Sequence, residues 1–259
     1  MSGTDADPVY VLGDVHGQLE LLKHAHGLAH RDGGENARIV HLGDLIDRGP
    51  DSRGVIDYLM EGQARGHDWP VVRGNHDHKL PRFLEDPGWI DPGPSKPAYW
   101  TEDQKNGADA TFASYGIPDA YELPLAELHE RALRAIPPEH GAWVDAMPLY
   151  LRDPRGYFFV HAGVKPGVPL EDQSQTDLMW IRRPFHDSRL DHGAMVVHGH
   201  TPVKHVTNYG NRLNMDTGAA YGGPVSIARL EAKGVIWLLT ESGPQPVAPE
   251  PDAVEILWL

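Results

Sequence analysis

Val9-Tyr10-Val11-Leu12-Gly13-Asp14-Val15-His16-Gly17 runs four apolar residues into a polar, glycine-flanked Asp-x-His segment. The same arrangement recurs where Gly43-Asp44-Leu45-Ile46-Asp47-Arg48-Gly49 follows residues 37–42 and Gly74-Asn75-His76-Asp77 follows residues 70–73. Further along, His161-Ala162-Gly163 follows residues 157–160 and Gly199-His200-Thr201 follows residues 194–197. Short β-branched runs of this kind read as buried strands, so each polar run falls at a strand end. Between the first three lie helical patterns, one through Leu19, Leu22 and His26 and one through Val55, Ile56, Leu59 and Met60, the second opened by Asp51 or Ser52 as N-cap. A β-α-β-α-β order favours a parallel sheet, whose ligands bind beyond the carboxyl ends of the strands. The polar runs fall there.

Composition narrows the chemistry. With 259 residues the chain is expected to form one domain. Cysteine is absent, which excludes disulfide scaffolding, thiolate metal sites and cysteine nucleophiles. Lys and Arg total 23 against 37 Asp and Glu, a formal charge of -14, and the basic residues form no runs. Nucleic-acid binding is therefore disfavoured, although Arg48, Arg73, Arg182 and Arg183 suffice to hold a single phosphate group. No stretch approaches the roughly 20 apolar residues of a membrane span, and a cytoplasmic protein is expected.

Residues 78–148 interrupt the alternation with Pro- and Gly-rich sequence and then helical stretches over 123–136 and 138–147, read as a helical insertion over the site. Three later β-rich runs, 213–216, 224–230 and 235–239, are close enough in sequence to predict antiparallel pairing in a second sheet. A Pro-rich C-terminal extension follows over 242–259, extended at first and then apolar over 254–259, where a last strand is expected.

Strand periodicity points Asp14 and His16 the same way, so the two can share one ion. Asp44 has two carboxylate oxygens and can bridge a pair of ions about 3.5 to 4 Å apart, with Asn75, His161 and His200 available to the second. Singly, each run is an ordinary turn. Five of them at strand ends, each with a hard or borderline ligand, point to a two-metal hydrolase.

The same residues carry a family resemblance. Asp14-Val15-His16-Gly17, Gly43 to Gly49 and Arg73-Gly74-Asn75-His76-Asp77 resemble the signature of the calcineurin-like metallophosphoesterases of phosphoprotein-phosphatase type. Val160-His161-Ala162-Gly163, Leu178-Met179-Trp180-Ile181-Arg182, Gly199-His200-Thr201-Pro202 and Met215-Asp216-Thr217-Gly218 follow in matching order. The pattern is most similar to bacterial serine/threonine phosphatases and symmetrical diadenosine tetraphosphatases. The resemblance implies a four-layer α/β/β/α sandwich, with Asp14, His16 and Asp44 on one metal and Asp44, Asn75, His161 and His200 on the other. It also implies two divalent ions, manganese first, with iron or zinc as alternatives. His198 is left as a neighbour without a ligand role. Pro202 stands where many nucleases of this fold carry a second His, which favours a phosphatase.

The expected reaction is attack on phosphorus by a hydroxide activated by two metals. Arg48 and Arg182, with Asn75, hold the phosphate oxygens, while Arg73 and Arg183 are weaker candidates. His76 is the expected general acid, oriented and kept protonated by Asp47. The expected substrate is a phosphorylated protein. A dinucleoside tetraphosphate is the alternative, with Trp89, Tyr99 and Trp100 available to stack a base, and a catalytically silent phosphate-binding module is the third reading.

Overall fold

The four residues of strand β1 (Val9–Leu12) are all buried, because both of its faces are covered. Helix α1 (Leu19–Gly33), strand β2 (Ile39–His41) and helix α2 (Ser52–Ala64) follow, and β1 and β2 pair in parallel with Tyr10 opposite Ile39. Asp51 caps α2 by accepting the Gly54 N–H at 2.8 Å, a contact worth about 1 kcal/mol. The computed structural model describes residues 7–93, 98–102 and 104–253. The remaining elements in chain order are helices α3 (Asn75–Glu85), α4 (Ala108–Ser114), α5 (Leu125–Ala135) and α6 (Pro138–Asp145), strands β3 (Tyr150–Asp153) and β4 (Tyr157–Val160), helix α7 (Gln175–Trp180), and strands β5 (Met195–His198), β6 (Thr207–Asn208), β7 (Arg212–Asn214), β8 (Ile227–Leu230), β9 (Ile236–Leu238) and β10 (Gln245–Pro246).

Two five-stranded sheets result, ordered β10-β9-β8-β1-β2 and β3-β4-β5-β7-β6. Alternate residues show how they stack. Val9, Val11, Val40 and Leu42 meet Tyr157, Phe159, Val197 and Leu213 in a core between the sheets. Tyr10, Leu12 and Ile39 face outward onto Leu22, Ala25, Val55 and Ile56 of α1 and α2. Phe158, Val160 and Val196 face outward onto Leu178, Ile181 and Phe185. The layers therefore run helix, sheet, sheet, helix, and strands buried on both faces are continuously apolar. Phe83, Phe112, Leu128 and Val144, from α3 to α6, join the same core as α1 and α2.

The structure departs from the sequence reading at three places. Residues 70–73 run beside β2 but form only a single parallel bridge, His41 with Val71, because Pro70 has no N–H and the Arg73 N–H goes to the Pro148 carbonyl at 2.9 Å. Helix α3 begins at Asn75 and runs on through Pro81, so the third polar run is itself the start of a helix. The three late β-rich runs divide between the sheets: β7 lies parallel to β5 in the second, whereas β8 and β9 pair antiparallel and extend the first against β1. The chain changes sheets through Asp216-Thr217-Gly218, where Gly218 takes φ 73°. Of the Pro-rich tail, residues 245–246 pair with β9, and residues 254–259, where a last strand was expected, lie outside the described residues.

A buried imidazole pair ties α1 to β2. His26 Nε2 and His41 Nε2 are 2.9 Å apart, one ring donating and the other accepting, with Tyr58 Oη 3.1 Å from His26 Nδ1. Burial pushes His41 down to about 4 and His26 well below its usual range. Both rings are neutral in the fold and take up protons on unfolding below about pH 6.5. Their contribution is therefore complete above that pH and is lost as pH falls toward 4, with His41 alone accounting for about 3 kcal/mol. Calorimetric melts at pH 7 and pH 5 are expected to show a smaller drop in Tm for His41→Gln than for the wild type. Equal drops would remove the pair as the cause.

Candidate metal centre

The polar runs converge at the ends of β1, β2, β4 and β5 and at the start of α3. Their backbones are strained to do so. Among the described residues, six non-glycine positions have φ in the left-handed region, and five of them, His16, Asp44, Asp47, Arg48 and His200, belong to these runs. A Cβ at Gly74 would strike the backbone and carboxylate of Asp44, so glycine there lets the second and third runs touch. Asp77 locks the contact, its carboxylate accepting Leu45 N–H at 2.8 Å and Gly74 N–H at 2.9 Å.

Asp44 sits between two imidazoles. Its Oδ2 is 3.5 Å from His16 Nε2 and its Oδ1 is 3.3 Å from His161 Nε2. His16 donates Nδ1–H to the Ile46 carbonyl and His161 donates Nδ1–H to the Leu42 carbonyl, both at 2.8 Å. With Nδ1–H donated outward, the Nε2 atoms of both rings face inward, the orientation that a backbone carbonyl imposes on a metal-binding His. Asn75 Oδ1 adds a further acceptor 2.9 Å from both His161 Nε2 and His200 Nδ1. Asp14 Oδ2 lies 4.0 Å from His16 Nε2, and the Asp14 carboxylate accepts the His200 N–H at 3.1 Å.

Acceptors facing acceptors repel unless a cation lies among them, and this donor set of carboxylate, imidazole and amide oxygen fits divalent ions. Two groups are spaced to hold one: His16, Asp44 and His76, and Asp44, His161 and His200, with Asp44 common to both. The buried charges agree. Burial raises Asp14 well above the usual carboxylate range, with Asp216 and Asp44 adding to the shift, and it pushes Asp77 and Asp216 to about 7. Burial acts on Asp44 in the same sense, but His161 and His16 beside it hold it below the usual range. Burial pushes His16 down to about 4. Buried acids crowded this closely need positive charge.

His76 lies edge-on to His16, ring centroids 4.9 Å apart, and its Nδ1 is 2.7 Å from Asp47 Oδ2. Asp47 also accepts Trp100 Nε1–H at 2.9 Å and Thr111 Oγ1–H at 2.7 Å, three donors that define it as an anion although burial raises it to about 6. Asp47 thus fixes the tautomer and leaves Nε2 facing the centre. Burial, then Lys79 and Arg48, push the His76 ring well below its usual range.

Arg48 reaches the centre, its Nη1 donating to His16 Nε2 at 2.8 Å. Arg182 is exposed just beyond α7, and its charge acts on His200 and Asp216. Arg73 is held by Asp145 at 2.9 Å and Arg183 pairs with Asp187 at 3.4 Å, so both point to other partners. His198 packs on Phe185 and bonds the Gly199 carbonyl. Trp100 is a buried anchor, whereas Tyr99 is exposed. Sequence reasoning gave no role to Asp216, although it stands at a strand end like the others. Thr111 and Lys79 carried no local signal.

Residues 7–237 match the model of the calcineurin-like phosphoesterases. The chain belongs to this family. Calcineurin-like phosphoesterases depend on metal, which agrees with the acceptor clusters. The chain is 28% identical to the asymmetrical bis(5'-nucleosyl)-tetraphosphatase PrpE of Oceanobacillus iheyensis over 247 residues, covering 86% of this chain and 88% of that one. It is also 28% identical to serine/threonine-protein phosphatase 1 of Salmonella typhimurium over 232 residues, covering 86% and 92%. A cold-active protein-tyrosine phosphatase of Shewanella shares the fold with a TM-score of 0.62 at 16% identity, covering 94% of this chain and 81% of that one. No helix among the described residues is long and apolar enough to cross a membrane.

Proposed function

We propose that this phosphoesterase is a cytoplasmic phosphoric monoester hydrolase acting on phosphoserine and phosphothreonine in proteins. Two divalent ions, manganese by preference and iron or zinc as alternatives, are assigned to Asp14, His16 and Asp44 and to Asp44, Asn75, His161 and His200. The observation that carries this reading is Asp44 directing one oxygen at each of two inward-facing imidazoles. When bound, such a pair of ions supplies hydroxide near neutral pH and offsets the charge of phosphate.

The chain's own residues do the rest. Arg48, Arg182 and the Asn75 side chain hold the non-bridging oxygens, and the guanidinium forks match phosphate geometry. His76 delivers a proton from Nε2 to the departing alkoxide, and Asp47, fixed by Trp100 and Thr111, holds the ring by Nδ1–H. A phosphate arriving beside Nε2 brings the negative charge that lets this otherwise neutral ring hold a proton. The chain is read as one domain, with 78–148 as a helical insertion and 242–259 as a C-terminal extension.

A second reading, hydrolysis of a dinucleoside tetraphosphate, is favoured by one feature: the buried Lys79 Nζ has no hydrogen-bond partner. Side-by-side turnover of a phosphopeptide and diadenosine tetraphosphate, before and after exhaustive chelation, separates the readings. Phosphopeptide turnover that vanishes with chelation and returns with manganese is expected. Turnover that survives chelation overturns the metal assignment, and hydrolysis of the tetraphosphate alone overturns the phosphoprotein assignment.

A further inference from the structure

Lys79 stands one helical turn after Asn75 on α3, so the two side chains share a face. It is 2% exposed, yet its Nζ makes no hydrogen bond. Nζ lies 4.0 Å from Asp91 Oδ2, which is itself buried and without a hydrogen-bond partner, and 5.0 Å from the centroid of the Trp180 ring. The Trp180 ring stands nearly perpendicular to that of His200 in the candidate centre, ring centroids 5.8 Å apart. A Cβ at Gly93 would strike the Trp180 indole, so the segment around Asp91 lies directly on that ring. The ammonium is therefore roofed by residues 91–93 and Trp180, and its charge acts on Asp44, Asp47, His76 and His200.

An ammonium has three donors, and burying them unused is costly unless something else takes them up. Asp91 is too far away for a hydrogen bond. A single phosphoryl group does not need Lys79 either, because its oxygens are matched by Arg48, Arg182 and the centre itself. We infer that Lys79 binds a second phosphate, the neighbour of the one under attack, so that the site takes an oligophosphate chain more tightly than a phosphomonoester. Trp180 and the 91–93 segment exclude water from the contact, which strengthens it, and a local cation in a chain of net charge -14 draws the anion to that point. This inference rests on the phosphoesterase reading and sides with its second form, a substrate that carries another phosphate beside the one under attack.

The test compares the manganese-loaded full chain with Lys79→Met and Asp91→Asn. Titration calorimetry with methylenediphosphonate and with orthophosphate gives the ratio of their affinities. Turnover of diadenosine tetraphosphate and of p-nitrophenyl phosphate gives the ratio of their kcat/KM values. Loss of one charge-assisted contact predicts that both ratios fall about 30-fold in Lys79→Met. Asp91→Asn removes the competing carboxylate at nearly constant shape, and in it both ratios are expected to rise. Ratios within threefold of wild type in Lys79→Met overturn the inference, as do ratios that fall in Asp91→Asn, which also serves if Lys79→Met does not fold. A wild type that hydrolyses neither substrate overturns the phosphoesterase reading instead, and the calorimetric ratio still decides the role of Lys79.

Discussion

Asp44→Asn is expected to lower kcat/KM for p-nitrophenyl phosphate about a thousandfold, near 4 kcal/mol of transition-state stabilisation. Asp44 is the one residue common to both acceptor groups, and its two oxygens face different imidazoles. An amide retains one acceptor and turns the other into a donor, which cannot join two cations. The variant should still fold. Its remaining oxygen can accept the His76 N–H as Asp44 Oδ1 does at 2.9 Å, and the amide has nearly the size and shape of the carboxylate. Far-UV circular dichroism alongside kinetics checks this, and a folded variant with more than a tenth of wild-type activity would remove Asp44 from the centre.

The second large effect depends on the leaving group. His76→Asn is expected to lower kcat on an alkyl phosphomonoester by about 10²- to 10³-fold, while p-nitrophenyl phosphate, whose leaving group needs little protonation, loses only a few-fold. This contrast separates two roles that the geometry allows, because His76 also lies within the group formed with His16 and Asp44. A metal ligand would affect both substrates alike and weaken manganese binding. A proton donor gives a steep dependence on leaving-group pKa in the variant and a shallow one in the wild type. Near-full turnover of the alkyl ester with metals still bound would exclude the acid role.

Much of this site is legible in the sequence because its carboxylates and imidazoles stand immediately after apolar runs. Val9 to Leu12 and Tyr157 to Val160 are covered on both faces, so they read as strands, and Asp14 and His161 follow directly. Contacts set by the third dimension do not read out. Residues 70–73 have strand composition, but Pro70 and the contact of Arg73 with Pro148 take away the pairing. Proximity in sequence suggested that the runs around Leu213, Ile227 and Ile236 lie together. The turn at Gly218 instead sends the last two to the opposite sheet and thereby brings Asp216 to the centre. Thr111 bonds Asp47 across 64 residues, with no local pattern to announce it.

The account stands on Asp44 joining two cation sites. Manganese titration followed by electron paramagnetic resonance tests this most directly. Wild-type protein is expected to bind two ions per chain and to show the spectrum of an exchange-coupled pair, while Asp44→Asn shows uncoupled ions or a single one. One ion per wild-type chain, or two without coupling, would contradict it.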